Sequence, residues 1–518
     1  MASNELYAAA ATESKAWEQA DLAHLIPTAN HEEILIKTSF REPLRKTPRL
    51  RIGRSWVDGT MTDTAGRFWQ FRARGLLPST AYELQLEQRD GGKRTDPWPL
   101  KTFPAHHADI EHLRILAYTC GGGNDRLKMA SGEPFFLNMQ DRRRLLQRGL
   151  AFNPDVVVAN GDHIYWDQRT TRNKPESFRA PWLALFEEYG ALDRNEPVLG
   201  SGNEAVLKRI VDDQIAVLYG VSLRSVPSFL LSDDHDMFEN DEAQDEFFTL
   251  PPDRHMLDAA RATQRLYYPE FLPDRTRDKW LPGSYICRDD DLSEIYGTLR
   301  YGKLFEGLLY DTKRYVSLKG PSATMAPPEV EAWLARRTAA TDTRHLAHMP
   351  STPIGWSAGK WGEWYPDALQ SDGSLGTATP KAHWPSGWWA QHQRILEMLA
   401  SQKSRAPVIV SGDLHALACG RITKSGDLSL GENPVHTLCV GPLGSAGPGF
   451  PTRYRGTGAK VPSALVVDES LAPLEKNGFS IIDVTPDSIK VRLFAWLPPE
   501  PSAHIDTMRP LYEYEIGR

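Results

Sequence analysis

Four short apolar runs in this chain end abruptly in residues that can hold a metal ion. One of them, residues 155–162, reads DVVVANGD, so that three consecutive valines lead into a Gly-Asp pair. Continuous β-branched residues predict a strand that is buried on both faces, as in a parallel sheet. The other runs end at Cys120, at Asp234 with His235, and at Asp413 with His415. Because the carboxyl ends of parallel strands lie together, we expect all four endings at one edge of one sheet, around a pair of metal ions.

Length and composition exclude several classes of protein. A chain of 518 residues is too long for one compact core, so we expect two or more domains. Its 41% hydrophobic and 25% charged residues are typical of a soluble globular protein. The net charge of -7 gives no general attraction to nucleic acid or to anionic lipid, so no nucleic-acid partner is expected. The sequence also has no apolar run long enough to span a membrane.

The start of the chain and the cysteines bear on the compartment. Residues 1–20 contain no basic segment followed by an apolar core, so the sequence as given predicts a cytoplasmic protein. A leader removed beforehand would instead make the protein periplasmic or secreted. The cysteines are few and widely spaced, which predicts thiols rather than a disulfide framework. They are Cys120, Cys287, Cys419 and Cys439.

The pattern of elements divides the chain into three segments. Residues 1–27 are Ala-rich and predict an N-terminal helical arm that ends near Pro27. Residues 28–105 contain short β segments separated by Pro, Gly and Asp turns, which predict a small β-sandwich domain. Its stretch GLLPSTAYELQL resembles the Leu-x-Pro-x-x-x-Tyr corner of fibronectin type III domains, where Tyr82 would hydrogen-bond back across the end of the sandwich. Strands then alternate with amphipathic helices over 106–518, the predicted catalytic domain.

The four strand endings together resemble those of a known enzyme superfamily. Asp162 with Tyr165 is similar to the Gly-Asp-x-x-Tyr motif of purple acid phosphatases. The stretch DDHD is similar to the Gly-Asn-His-Asp/Glu box of calcineurin-like metallophosphoesterases, and GDLH stands where that superfamily has Gly-His-x-His. With Cys120 added, the set resembles PhoD-type alkaline phosphatases over roughly residues 30–500. The resemblance implies an α/β fold: a four-layer metallophosphoesterase-like sandwich with two central mixed sheets flanked by helices, preceded by a small fibronectin type III-like β-sandwich.

The resemblance also implies which residues hold metal. The first site would hold a ferric ion, for which thiolate and phenolate are strong anionic donors. Its ligands would be Cys120, Asp162, Tyr165 and His415. The second site would share Asp162 and be completed by Asp234 and Asp413, whose carboxylates suit calcium, or else manganese or magnesium, better than zinc. His235 would lie beside the phosphate as the catalytic proton donor or as an electrostatic support.

Each of these residue types also has an ordinary structural role. Carboxylates that follow strands often cap turns, and Tyr165 and Cys120 can be packing residues in a core. A buried histidine such as His235 is often a structural hydrogen-bonding residue. The sequence alone leaves these alternatives open.

The implied function is metal-dependent hydrolysis of phosphate esters, as a phosphomonoesterase or phosphodiesterase. In this mechanism a metal-bound hydroxide attacks phosphorus in line while the metals neutralise charge. A phosphotriesterase or a phospholipase D-like hydrolase on the same site is an alternative. A metal-stabilised ligand-binding protein without catalytic activity is another.

A cluster of aromatic residues between 356 and 389 bears on the substrate. It comprises Trp356, Trp361, Trp364, Tyr365, Trp384, Trp388 and Trp389. Such rings either form a loop that covers the site or merely pack that loop down. In the first case the small-molecule substrate carries an organic group. The natural ester and the oligomeric state are left open by the sequence.

Overall fold

The strands of the computed structural model run through most of the chain, which is described over residues 17–167, 176–244, 247–277 and 291–517. The first eight are β1 (Leu22–Ala29), β2 (Glu33–Phe40), β3 (Pro48–Ile52), β4 (Ser55–Asp58), β5 (Thr60–Met61), β6 (Phe68–Arg74), β7 (Ala81–Gln88) and β8 (Trp98–Lys101). The next ten are β9 (Leu113–Tyr118), β10 (Val156–Asn160), β11 (Ser228–Leu231), β12 (Ala243–Gln244), β13 (Phe247–Phe248), β14 (Tyr296–Tyr301), β15 (Phe305–Tyr310), β16 (His345–Pro350), β17 (Ala368–Leu369) and β18 (Leu375–Gly376). The last eight are β19 (Val408–Ser411), β20 (Leu417–Ser425), β21 (Leu428–Ser429), β22 (Val435–Val440), β23 (Leu465–Leu474), β24 (Asn477–Val484), β25 (Ser488–Trp496) and β26 (Tyr512–Gly517).

The α-helices lie mainly between the strands of the second, longer part of the chain. They are α1 (Met139–Leu150), α2 (Glu176–Tyr189), α3 (Gly202–Val211), α4 (Val217–Tyr219), α5 (Arg254–Tyr267), α6 (Pro328–Ala339), α7 (Ser386–Ala400), α8 (Pro451–Tyr454) and α9 (His504–Thr507). A π-helical turn at Asp212–Ala216 joins α3 to α4. None of the helices in the described ranges is long and apolar enough to cross a membrane.

Two mixed sheets form the centre of the second part. One has six strands in the order β11-β10-β9-β24-β25-β26, of which β11, β10 and β9 are parallel. The other has the order β14-β15-β16-β19-β22-β20-β21, with β23 paired to β20. Its strands β15, β16, β19 and β22 are parallel. This confirms the predicted strands at the apolar runs and the closing antiparallel hairpin of β24 and β25.

The two central sheets pack face to face, and helices cover their outer faces. Val156 and Val158 point between the sheets, where they meet Val408 and Val410 of β19. Val157, which has the opposite orientation in the same strand, packs with residues of α1, α3 and α5. The outer face of the second sheet is covered by α6 and α7. The valine run is therefore continuous because both of its faces are buried, as the α/β sandwich requires.

The first part of the chain consists of two four-stranded antiparallel sheets, β1-β2-β6-β5 and β4-β3-β7-β8. Their facing side chains form one core, which includes Ile36, Leu50 and Trp98. The hydroxyl of Tyr82 accepts a hydrogen bond from the amide of Leu77 at 2.8 Å, in the corner where the sequence places such a bond. Likeness to a fibronectin type III domain in particular stays a prediction.

The predicted helical arm over residues 1–27 is wrong in its last part. Residues 22–27 belong to β1, which pairs antiparallel with β2 and brings Pro27 opposite Ile36. Because β1 is an edge strand, Pro27 can lie within it without removing a ladder hydrogen bond, so this proline does not mark the end of a helix. Residues 1–16 of the predicted arm lie outside the described residues, as does Cys287.

The sandwich is fixed to the second part by buried polar contacts. Every residue of β2 is buried, because one face lines the sandwich core and the other packs against the second part. The ammonium of Lys37 lies 2.9 Å from the carboxylate of Glu270, and both side chains are almost fully buried. His24 hydrogen-bonds through Nε2 to the carbonyl of Tyr267 at 2.8 Å. A buried ion pair tolerates little displacement, so these contacts hold the sandwich in one position.

The four strand endings come from two sheets, which corrects the expectation of one sheet edge. Cys120, Asp162 and Asp234 follow β9, β10 and β11 of the six-stranded sheet, whereas Asp413 follows β19 of the eight-stranded sheet. The Thr119 hydroxyl joins them, because it donates to the carbonyl of Asn160 at 2.6 Å and accepts from the amide of Asp413 at 3.1 Å. The preceding Gly412 makes this approach possible, since a Cβ there would lie 2.3 Å from Thr119 Oγ1.

Candidate metal centre

The four residues predicted for the first metal site converge. Ligand atoms of Cys120, Asp162 and His415 all lie within 4.8 Å of one another. Cys120 Sγ is 3.3 Å from Asp162 Oδ2, and the Tyr165 hydroxyl is 3.3 Å from the same oxygen. The Tyr165 hydroxyl is also 3.3 Å from His415 Nε2. One thiol, one carboxylate, one phenol and one imidazole therefore face a common point, a donor set that suits a transition metal such as iron.

The residues predicted for the second site converge beside the first. Asp234 and Asp413 offer oxygens within 4.8 Å of one another together with Asp233, which the sequence reading missed, and Asp234 forms a similar group with Asp162 and His235. Among the described residues, Asp162 Oδ1, Asp234 Oδ1 and Asp413 Oδ2 are buried oxygens without a hydrogen-bond partner. Such oxygens are costly to bury unless a cation meets them, so the arrangement fits a hard divalent ion.

The backbone at these positions is left-handed. Positive φ angles occur at Cys120 (48°), Asp162 (59°), Asp413 (62°) and His415 (49°). This conformation costs about 1–2 kcal/mol for every residue type except glycine, and the cost is smallest for Asp and Asn. The fold accepts that cost at four predicted ligands, and the turn at each strand end directs the side chain back toward the centre.

The carboxylate of Asp236 organises the loop that carries two of the ligands. It accepts hydrogen bonds from the amides of Asp162 at 2.8 Å, His163 at 2.9 Å and Ile164 at 3.2 Å. It also accepts one from the amide of Asp233 at 2.9 Å. The last residue of the DDHD stretch thus fixes the turn after β10 to the turn after β11. From the sequence alone this role could not be distinguished from metal binding.

His235 lies at the centre of the site, and one of its two ring nitrogens is hydrogen-bonded to a carboxylate. Its Nδ1 is 2.8 Å from Asp167 Oδ1, and its ring lies against that of Tyr165 with centroids 4.1 Å apart and the planes tilted by 35°. Burial disfavours the imidazolium, but the carboxylates of Asp167 and Asp234 outweigh it and raise the pKa of His235 well above 6.5. The shift favours the imidazolium, the form that the predicted role of proton donor requires. Asp167 is a further residue that the sequence reading missed.

The pKa values of the other predicted ligands of the first site shift in different directions. Burial raises the pKa of the Cys120 thiol well above 9.0, and the neighbouring Asp162 adds to the effect. Burial likewise raises the pKa of Tyr165 well above 10.0. Burial lowers the pKa of His415 to about 3, and its Nδ1 lies 2.8 Å from the carbonyl of Gly449, which leaves Nε2 as the available donor atom. Entry of a metal must displace the thiol and phenol protons, so metal binding releases protons.

Lys360 is the main residue of the centre that sequence reasoning missed. Its ammonium lies 2.7 Å from Asp413 Oδ1, 3.1 Å from Asp234 Oδ2 and 3.2 Å from Asp241 Oδ1. Burial opposes the charge, but the carboxylates of Asp234 and Asp241 raise the pKa of Lys360 well above 10.5. Nothing in the local sequence around Lys360 marked it, because its partners are distant in the chain, 126 positions away for Asp234 and 53 for Asp413. They meet Lys360 only in the folded protein, where it lies in a loop of irregular structure.

A pocket opens onto the centre and is lined by both aromatic and cationic residues. Phe135 contacts Trp182 and Tyr454 edge to face, and all three rings line the pocket. Lys360 and Arg455 also line it, together with His235, His415 and Asp413. A lining that combines cations with aromatic rings fits a substrate that joins an anionic group to an organic one.

The aromatic residues between 356 and 389 pack the loop instead of lining this pocket. Trp356, Trp364, Tyr365 and Trp388 are fully buried, and Trp361 nearly so. Trp361, Trp364, Tyr365 and Trp388 belong to the core that covers the eight-stranded sheet. None of the seven aromatic residues is among the described residues that line the pocket. The packing alternative is therefore confirmed.

Comparison with known proteins agrees with this geometry. Residues 221–493, more than half of the chain, match the model of the PhoD-like phosphatase family. The chain belongs to that family and is accordingly a phosphoric ester hydrolase. No curated protein matches the sequence.

Two solved structures share the fold. The structure of PhoD superposes with a TM-score of 0.63 at 12% identity, covering 98% of this chain and 92% of that one. The purple acid phosphatase PPD1 from yellow lupin (Lupinus luteus) seeds superposes with a TM-score of 0.52 at 12% identity, covering 96% of this chain and 74% of that one. At such identities the likeness concerns the fold, which is an α/β metallophosphoesterase-like fold.

The role of Asp236 gives a test of the centre's construction. Asp236→Asn replaces one acceptor oxygen by an amino group that faces amide donors, so at least one buried donor loses its partner. We expect a loss of roughly 2–4 kcal/mol in the free energy of unfolding, together with reduced metal content, measured by denaturant unfolding and elemental analysis. Asp427→Asn, on an exposed turn, is the control and should change neither. Full metal content and unchanged stability in Asp236→Asn would show that the carboxylate does not organise the loop.

Proposed function

We propose that the protein hydrolyses phosphate monoesters and diesters that carry an organic group, with a ferric ion in the first site and calcium, or manganese or magnesium, in the second. The observation that carries the proposal is the convergence of the predicted ligands at a pocket lined by both cationic and aromatic residues. Membership of a phosphatase family supports hydrolysis over the non-catalytic alternative.

The donor chemistry supports two different ions. Cys120, Tyr165 and His415 supply sulfur, phenolate and imidazole, which suit ferric iron. Asp234 and Asp413 supply only carboxylate oxygens, which suit calcium, magnesium or manganese. When bound, such a metal pair would neutralise charge on the phosphoryl group and activate water.

The chain's own residues hold the substrate and move its protons. Lys360 and Arg455 bring positive charge to the pocket, while Trp182 and its aromatic neighbours offer a surface to the organic group. His235, kept protonated by Asp167, is placed to donate a proton to the departing ester oxygen. A phosphotriester has no negative charge to meet these cations, so the pocket favours monoesters and diesters over triesters and over a purely apolar ligand.

A comparison of three esters with the same chromogenic leaving group tests the function. We expect the purified protein to turn over the monoester and the diester with a kcat/KM at least tenfold above that of the triester, because only the first two carry negative charge. Preference for the triester would favour the phosphotriesterase alternative. Absence of turnover with every ester, in protein of full metal content, would favour a binding protein.

The proton-donor role of His235 is separable from metal binding. His235→Ala should lower kcat by roughly 100- to 10,000-fold while elemental analysis finds the metals retained. Asp167→Asn keeps the imidazole but removes the carboxylate that raises its pKa. Since the protonated form is the active one, activity is lost as pH rises through this pKa, and the alkaline limb of the pH profile should move to lower pH. Loss of metal from His235→Ala would instead make His235 a ligand, as its grouping with Asp162 and Asp234 allows.

Iron in the first site should colour the protein. Phenolate or thiolate bound to a ferric ion gives a visible charge-transfer band, so Tyr165→Phe should shift or abolish that band. Tyr454→Phe, which changes another tyrosine of the same pocket, is the matched control and should leave the spectrum unchanged. A colourless and fully active wild-type protein without iron would contradict the assignment.

A further inference from the structure

Lys360 occupies an unusual position between the second metal site and the pocket. It is almost fully buried, and its ammonium contacts carboxylates on both sides of the centre: Asp413, which follows β19, and Asp234, which follows β11. The side chain also forms part of the pocket lining. It is thus a cation that both the metal-binding carboxylates and an incoming substrate can reach.

The carboxylates of the second site divide their oxygens between two cations. Asp413 gives Oδ1 to Lys360 and keeps Oδ2 without a partner, and Asp234 gives Oδ2 to Lys360 and keeps Oδ1 without a partner. The unpartnered oxygens suit the divalent ion, whereas the paired ones are held by the ammonium. Lys360 therefore does not replace the second metal but lies next to it.

The third contact of Lys360 is the one that can be given up. Asp241 is also paired with the ammonium of Lys313, which is completely buried and additionally donates to the carbonyl of Gly362 at 2.9 Å. If Lys360 leaves Asp241, that carboxylate still has a cation. An ammonium has three N–H donors, of which Lys360 gives two to Asp234 and Asp413, while Asp241 Oδ1 accepts no hydrogen bond, so the third donor can serve another anion at little cost.

We propose that Lys360 is a phosphate-binding residue, which donates its third N–H to a phosphoryl oxygen of the substrate while keeping its hydrogen bonds to Asp234 and Asp413. This rests on the proposed function, since the phosphoryl group must lie at the metal centre. The ligand chemistry is a phosphate oxyanion, whether of an ester or of the free phosphate product. The same contact makes Lys360 a competitor of the divalent ion for the charge of Asp234 and Asp413.

Removing the positive charge of Lys360 should affect phosphate binding and calcium binding in different ways. Lys360→Met keeps the length and apolar stem of the side chain but loses the ammonium. A charge-assisted hydrogen bond is lost, so the Kd for inorganic phosphate should rise about tenfold to a hundredfold. Calcium binding should be unchanged or tighter, because Asp234 and Asp413 no longer share their charge with a fixed cation.

The experiment measures inorganic phosphate binding and calcium binding by titration calorimetry on the protein as purified. Lys360→Arg should retain phosphate binding within a few-fold, and Lys403→Met, an exposed lysine outside the pocket, should match the wild type. Unchanged phosphate affinity in Lys360→Met, or a wild-type protein that binds no phosphate, overturns the proposal. A parallel loss of phosphate and calcium binding also overturns it, because Lys360 would then only hold the carboxylates in place. Ester turnover is measured alongside and judges the proposed function separately.

Discussion

The structure depends on a concentration of negative charge that is buried between two sheets. Five carboxylates share the centre: Asp162, Asp233, Asp234, Asp241 and Asp413, all nearly or completely buried. Lys313 and Lys360 offset part of their charge. Burying a charge is costly unless a counter-charge meets it, and several oxygens remain without a partner. The remaining charge makes the centre a candidate site for metal cations, so the same electrostatic cost that opposes folding favours cation binding.

The sandwich architecture brings this charge together. The predicted ligands lie on four turns, of which three follow strands of the six-stranded sheet and one follows a strand of the eight-stranded sheet. The hydroxyl of Thr119 joins the two sheets through hydrogen bonds with Asn160 and Asp413. Small displacements between the sheets would separate the ligands of one metal, and the contact at Gly412 leaves no space for such movement. The apolar layer between the sheets therefore serves the chemistry as well as the stability of the fold.

The sequence predicted the elements whose signals are local. Continuous apolar runs marked β9, β10, β11 and β19, and the residues after them proved to converge, because a buried strand and its polar ending are adjacent in the chain. The prediction of a helix near Pro27 failed because residues 22–29 pair with the following strand, β2, and an edge strand accepts a proline. The role of Lys360 could not be predicted from its local sequence, because that role depends on carboxylates carried by other turns. Asp167 and Asp236 support their neighbours through hydrogen bonds that only the folded chain makes.

The left-handed backbone at the ligands restricts how this family member can change. Asparagine accepts that conformation nearly as well as aspartate, whereas β-branched residues do not. An Asp162→Asn or Asp413→Asn replacement would therefore preserve the turn while removing one of the crowded charges. If these residues hold metal as predicted, such a chain would lose a ligand but relieve part of the repulsion, and the turn would still fold. A single substitution would then lead from an enzyme to a folded pseudoenzyme.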